Sequence, residues 1–101
     1  MNTDAQTATF KGTIVNNTGV QIDRVLFNHY VGGGADSHLV RIYDGDSLEI
    51  EIRELCHYDI YDVVIRHYIG IYQWEDFVKP AVYIIEDITL VFTEEDLLID
   101  P

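Results

Sequence analysis

With 101 residues, 48% of them hydrophobic and 12% aromatic, the chain holds apolar material for one core and is too short for two. Its eighteen acidic residues outnumber six basic ones, and a formal charge of −12 opposes contact with nucleic acid phosphate or anionic lipid while favouring cations and basic protein surfaces. No apolar run approaches the roughly 18 residues that cross a bilayer, and the opening Met1 to Gln6 lacks a basic end followed by an apolar stretch, so a cytoplasmic chain with no membrane contact is expected.

The first eight residues are polar and read as a flexible N-terminus. From Thr9 the alternation of Phe10, Gly12 and Ile14 with Lys11, Thr13 and Val15 predicts a strand, closed by the turn-forming cluster Asn16-Asn17-Thr18-Gly19. Val20 to Tyr30 is a second extended run. Ile22 and Leu26 lie on one strand parity and Val25, Phe27 and His29 on the other, so a bulge near Asp23-Arg24 is needed to keep the apolar residues together. Gly32 to Ser37 reads as a loop, because three consecutive glycines carry too much backbone entropy for a strand.

Leu39 to Tyr43 is extended, and Leu48, Ile50 and Ile52 then alternate with Glu49, Glu51 and Arg53. The Asp44-Gly45 pair between these runs predicts a tight β-hairpin. Cys56 to Tyr72 is rich in β-branched and aromatic residues on both parities, as in a central or covered strand. Gly70 breaks it, Ile71 to Phe77 forms the return strand, and Lys79-Pro80 marks a turn or an edge because proline cannot donate to a ladder. Ala81 to Ile85 and Ile88 to Phe92 read as two further short strands. Thr93 can cap a helical turn carrying Glu94, Glu95 and Asp96 near its positive end, and Leu97, Leu98 and Ile99 must then dock on the body or on a partner.

Six to eight strands at this spacing, without a long helical period, predict an all-β domain, a small antiparallel β-sandwich or partly open barrel with a short C-terminal helical turn or tail. The expected organisation is one β-domain over 9–93 followed by an acidic and apolar tail over 94–101.

Charge and aromatics share one half of the chain. Residues 1–43 hold three acids and three bases, whereas residues 44–101 hold fifteen acids against Arg53, Arg66 and Lys79 and so carry the whole excess of twelve. Tyr58, Tyr61, Tyr68, Tyr72, Trp74, Phe77 and Tyr83 fall in the same half. Tyrosine and tryptophan anchor protein interfaces because each buries a large ring and keeps a polar handle. Carboxylates two apart on a strand repeat at about 6.6 Å, a spacing compatible with mimicry of nucleic-acid phosphates.

Motifs for catalysis are missing. Gly32-Gly33-Gly34 lacks the lysine of a P-loop and the spacing of a dinucleotide fingerprint, and there is no nucleophile elbow, paired-cysteine zinc signature or HExxH. The single cysteine, Cys56, has no internal disulfide partner and reads as a buried small hydrophobe. His57, Asp59 and His67 share a strand parity but need a third ligand from elsewhere before they make a metal or proton-relay site. Asp44-Gly45-Asp46-Ser47, with Asp36, Asp59, Asp62 or Glu75-Asp76 nearby in space, supplies some of the oxygens of a calcium site without the remaining EF-hand positions.

The expectation is therefore a non-enzymatic acidic binding protein that occupies a basic surface of a protein partner, as inhibitors, immunity proteins and anti-defence proteins do, without a cofactor and without direct nucleic acid binding. Its contact residues are expected to be Glu49, Glu51, Asp59, Asp62, Tyr61, Tyr72, Trp74, Glu75 and Asp76. A calcium-dependent ligand-binding module is the alternative, and an exposed strand edge allows a homodimer.

Overall fold

The structure, a computed structural model, describes residues 7–29, 34–55 and 60–99. Seven strands follow one another: β1 (Thr7–Asn17), β2 (Ile22–His29), β3 (Ala35–Ile42), β4 (Ser47–Leu55), β5 (Ile60–Gly70), β6 (Gln73–Tyr83) and β7 (Ile88–Thr93), and a 3-10 turn, Glu94–Asp96, closes the series. They form a three-stranded sheet in the order β4-β1-β7 and a four-stranded sheet in the order β3-β2-β5-β6. This is the expected all-β, sandwich-like architecture. All pairs are antiparallel except β1 with β7, which run parallel.

The core lies between the sheets. Ile14, Ile50, Ile52, Leu90 and Phe92 from the smaller sheet meet Ile22, Val25, Phe27, Ile42, Tyr61, Val63, Ile65 and Phe77 from the larger. Alternation places these side chains: on β4, Ile50 and Ile52 are buried while Glu49 and Glu51, which alternate with them, are exposed. Gly12 suits the close packing here, because a Cβ there would stand 2.6 Å from Ile52 Cδ1 and the end of that buried side chain would have to shift. The bulge expected near Asp23-Arg24 is present as a register shift between Ile22 and Arg24, and it lets Ile22, Val25 and Phe27 all face inward. β5 is central, between β2 and β6, so its inward Tyr61, Val63 and Ile65 and its outward Val64 are all buried.

Several predicted boundaries move. β3 starts at Ala35, so Ala35, Asp36 and Ser37, expected in the glycine loop, belong to a strand, while Gly32 and Gly33 lie outside the described residues. β6 runs unbroken through Lys79-Pro80 to Tyr83, merging two expected strands. It is an edge strand, where proline is tolerated. A register shift opposite Tyr61 and Val63 places Ala81 at φ 52°, and the Asp62 carboxylate accepts the Ala81 N–H at 2.9 Å in place of a ladder carbonyl.

The predicted Asp44-Gly45 hairpin does not form. β3 and β4 belong to different sheets, so the turn is a corner at which the chain changes sheet. A type I′ hairpin needs positive φ at both central residues, and here only Gly45 has it, at 87°. The corner instead docks on the end of β1: the Gly45 N–H donates to Asn16 O at 2.7 Å and the Asn16 N–H to Asp46 O at 2.8 Å. The side chain of Asn16, fully buried, completes the join. Its Nδ2 donates to Val20 O and Ile42 O at 2.7 and 2.9 Å, and its Oδ1 accepts from the Thr18 N–H and hydroxyl at 3.0 and 2.6 Å.

At the C-terminal end the expected cap is present. Thr93 Oγ1 accepts from the Glu95 N–H at 3.3 Å, and Asp96 Oδ2 accepts from the Thr93 N–H at 2.9 Å. Lys79 Nζ stands 3.3 Å from both Asp96 carboxylate oxygens and 5.2 Å from the Phe92 ring centre, tying β6 to β7.

Replacing Asn16 by leucine takes the side-chain partner from Ile42 O and the Thr18 N–H and leaves the Thr18 hydroxyl and Val20 O only their mutual contact at 3.3 Å, and the expected loss is about 2–4 kcal/mol of unfolding free energy. Equilibrium urea unfolding checks this, with Thr18→Ala expected to lose about 1 kcal/mol by removing part of the same network.

Candidate protein-docking end

The nine residues expected to meet a partner do not form one patch. Glu49 and Glu51 stand on the outer face of the three-stranded sheet, opposite Thr13 and Lys11 of β1. Lys11 Nζ lies 4.0 Å from Glu49 Oε1, and the Lys11 N–H donates to Asp87 Oδ1 at 2.9 Å, so acid surrounds a single lysine on this face. Asp62 lies on the other sheet and is committed to Ala81. Asp59, Cys56 and His57 fall outside the described residues.

Tyr61 is not a surface residue, which corrects the expectation. Its parity with Val63 and Ile65 on the central strand directs the ring into the core, where it is fully buried and meets Phe27 and His29 edge-on, with centroids 6.4 and 5.2 Å apart. That parity is readable from the sequence.

Tyr72, Trp74, Glu75 and Asp76 do come together, at the end of the β5–β6 hairpin. The turn Ile71-Tyr72 leaves both side chains almost fully exposed, at 87% and 88%, and Trp74 and Ile69 beside it are about half exposed. The C-terminal segment arrives alongside. Leu97 bridges to Phe77 and packs on the core, and the Leu98 N–H donates to Asp76 O at 2.7 Å, which extends the edge of β6 by a short antiparallel addition. Only Leu97 docks. Leu98 and Ile99 point outward, and with Leu97, Trp74, Glu75 and Asp76 they line a groove of about 320 Å³. Ile69, Ile71, Tyr72, Trp74, Leu98 and Ile99 thus expose large apolar side chains at one end of the molecule, beside the carboxylate of Glu75. Exposed apolar groups gathered in this way mark interaction surfaces.

Behind the groove Trp74 is held rigidly. The Arg66 guanidinium lies 4.4 Å from the Trp74 ring centre and pairs bidentately with Asp76, Nε to Oδ1 at 2.8 Å and Nη2 to Oδ2 at 3.0 Å. Tyr68 packs edge-on against Trp74, with centroids 6.1 Å apart. Its hydroxyl accepts from Arg24 Nε at 3.0 Å. Hydrogen bonds from Arg24 and then Arg66 favour the phenolate and hold the Tyr68 phenol below its ordinary pKa. Asp76 holds the Arg66 guanidinium in its charged form.

Asp44, the first oxygen of the acidic turn considered for calcium, accepts the Gly19 N–H at 2.8 Å and serves the corner. Among the described residues no three His, Cys, Asp or Glu side chains gather where they could hold a metal ion, and no helix is long and apolar enough to cross a membrane.

The chain matches no known protein family, no curated protein and no solved structure.

Because the folded state favours the Tyr68 phenolate, Arg24→Gln is expected to raise the Tyr68 titration toward the ordinary tyrosine value. Tyrosine absorbance against pH, assigned with Tyr68→Phe, reads the shift. This contribution to stability develops only as pH rises through the Tyr68 transition, so the melting temperature at neutral pH is expected to stay unchanged by it.

Proposed function

We propose that this chain is a non-enzymatic binding protein whose β5–β6 end seats on a basic, partly apolar surface of a cytoplasmic protein, in the manner of an inhibitor, immunity or anti-defence factor. The observation that carries this reading is the set of six exposed apolar side chains at one end of a strongly acidic chain, with Trp74 braced from behind by Arg66. A rigid aromatic anchor loses little side-chain freedom on binding, so more of its burial appears as affinity. The excess negative charge of residues 44–101 steers a basic partner toward the molecule and accelerates encounter.

In this reading Glu49 and Glu51 contribute to the field and not to the anchor, because they lie on the outer face of the other sheet. Affinity resides in Tyr72, Trp74 and the groove beside Glu75.

The test is recovery of the partner from a lysate of the native host at low salt, elution by a salt step, and binding measurements on the purified pair. Trp74→Ala is expected to weaken binding about thirtyfold or more, as for a central anchor. Glu49→Lys with Glu51→Lys is expected to slow association several-fold and leave dissociation unchanged. Affinity indifferent to both salt and Trp74 would overturn the proposal.

A further inference from the structure

On the outer face of the four-stranded sheet, Arg24 of β2 stands directly opposite Arg66 of β5. Like charges directly opposed on a strand pair destabilise it unless something of opposite sign lies between them. Arg66 has its own carboxylate in Asp76. Arg24, among the described residues, has none: its Nε donates to Tyr68 Oη, its Nη1 to Ser37 Oγ, and Asp23 beside it turns to the Tyr68 N–H and to Gln21. A guanidinium without a carboxylate is unexpected in a chain where eighteen acids face six bases.

Arg24 is nevertheless fixed. Two hydroxyl acceptors, one from each neighbouring strand, hold the fork in place and leave N–H groups free, which lowers the entropy lost when it grips a second group. Strand alternation puts Arg24, Arg41 and Arg66, half of the chain's six lysines and arginines, on this one face, and the acids among the described residues there, Asp62 and Asp76, are already engaged. Leu39 is exposed on one side of Arg24, directly opposite it in register, and Trp74 lies on the far side of Arg66. A free small anion is bound best in a nest of converging backbone donors, whereas an oriented arginine fork flanked by apolar side chains on a sheet face fits a carboxylate side chain presented by a protein segment.

We propose that the Arg24, Ser37 and Tyr68 row on the outer face of the four-stranded sheet is a docking point for an acidic segment of a protein, whose carboxylate chelates the Arg24 guanidinium. This surface is distinct from the hairpin end and does not depend on the docking reading given for it.

The test is a titration of the full ¹⁵N-labelled chain with a hexaglutamate peptide, followed through the Arg24 Nε–H and the Ser37 and Tyr68 amide signals. The net charge of the chain repels this probe elsewhere, so saturable shifts confined to the row report the local site. Arg24→Gln is expected to weaken binding at least tenfold with the other signals in place, and Arg24→Lys, which keeps the charge without the fork, several-fold. Absence of saturable shifts, full binding by Arg24→Lys, or saturation of the same signals by inorganic phosphate at lower concentration than by the peptide would overturn the assignment. Tyr72→Ala, which alters only the hairpin end, is expected to leave the titration unchanged, so failure at the hairpin end and failure here are separable.

Discussion

The fold hangs on one buried amide. Asn16 sits at the end of β1 where two sheet-changing connections pass, from β1 to β2 and from β3 to β4, and its side chain satisfies groups in both: Val20 O and Thr18 in the first, Ile42 O at the start of the second. Its backbone binds Gly45 and Asp46 of the same corner. An amide is the side chain suited to this position, because it supplies two donors and an acceptor without charge. A carboxylate of the same shape would turn acceptor against acceptor at two carbonyls. With the corners fixed, β1 serves as the middle strand of one sheet while β2 and β3 begin the other, and the core closes between them.

Much of this was legible. Local alternation on β4, the two-sided apolar character of β5, the bulge before Arg24 and the Thr93 cap follow from side-chain parity and short-range hydrogen bonding, which a sequence displays directly. The Asp44-Gly45 corner carries a hairpin's signature because local turn chemistry is shared by hairpins and sheet-changing corners. What separates them is the distant partner, Asn16. The continuation of β6 past Pro80 was hidden for the same reason, since the acceptor for Ala81 is the Asp62 carboxylate, 19 residues away.

The candidate site was partly visible. Tyr72, Trp74, Glu75 and Asp76 are neighbours in sequence and remain neighbours in space. Glu49 and Glu51 belonged to the same charged half but lie on the other sheet, because a charge tally carries no information about which sheet a strand joins. Tyr61 has the residue type of a surface anchor, whereas its parity with Val63 and Ile65 assigns it to the core. Leu98 and Ile99 are apolar residues that need a surface, and the structure leaves them beside Trp74 with their apolar faces open. Arg24 and Arg66 gave no sequence signal as a pair, since their opposition depends on the β2–β5 register.

Two-sheet rigidity and an exposed apolar end serve one purpose in this account. The corners and core hold the β5–β6 hairpin and the C-terminal strand addition in fixed relation, so Trp74 and the groove are presented without reorganisation. Amide hydrogen exchange on the chain with and without its purified host partner tests this most directly. The account predicts new protection at residues 69–76 and 97–99, with the outer face of β4 unchanged. Protection concentrated on Glu49 and Glu51 of β4, with the hairpin end exchanging as in the free chain, would contradict it.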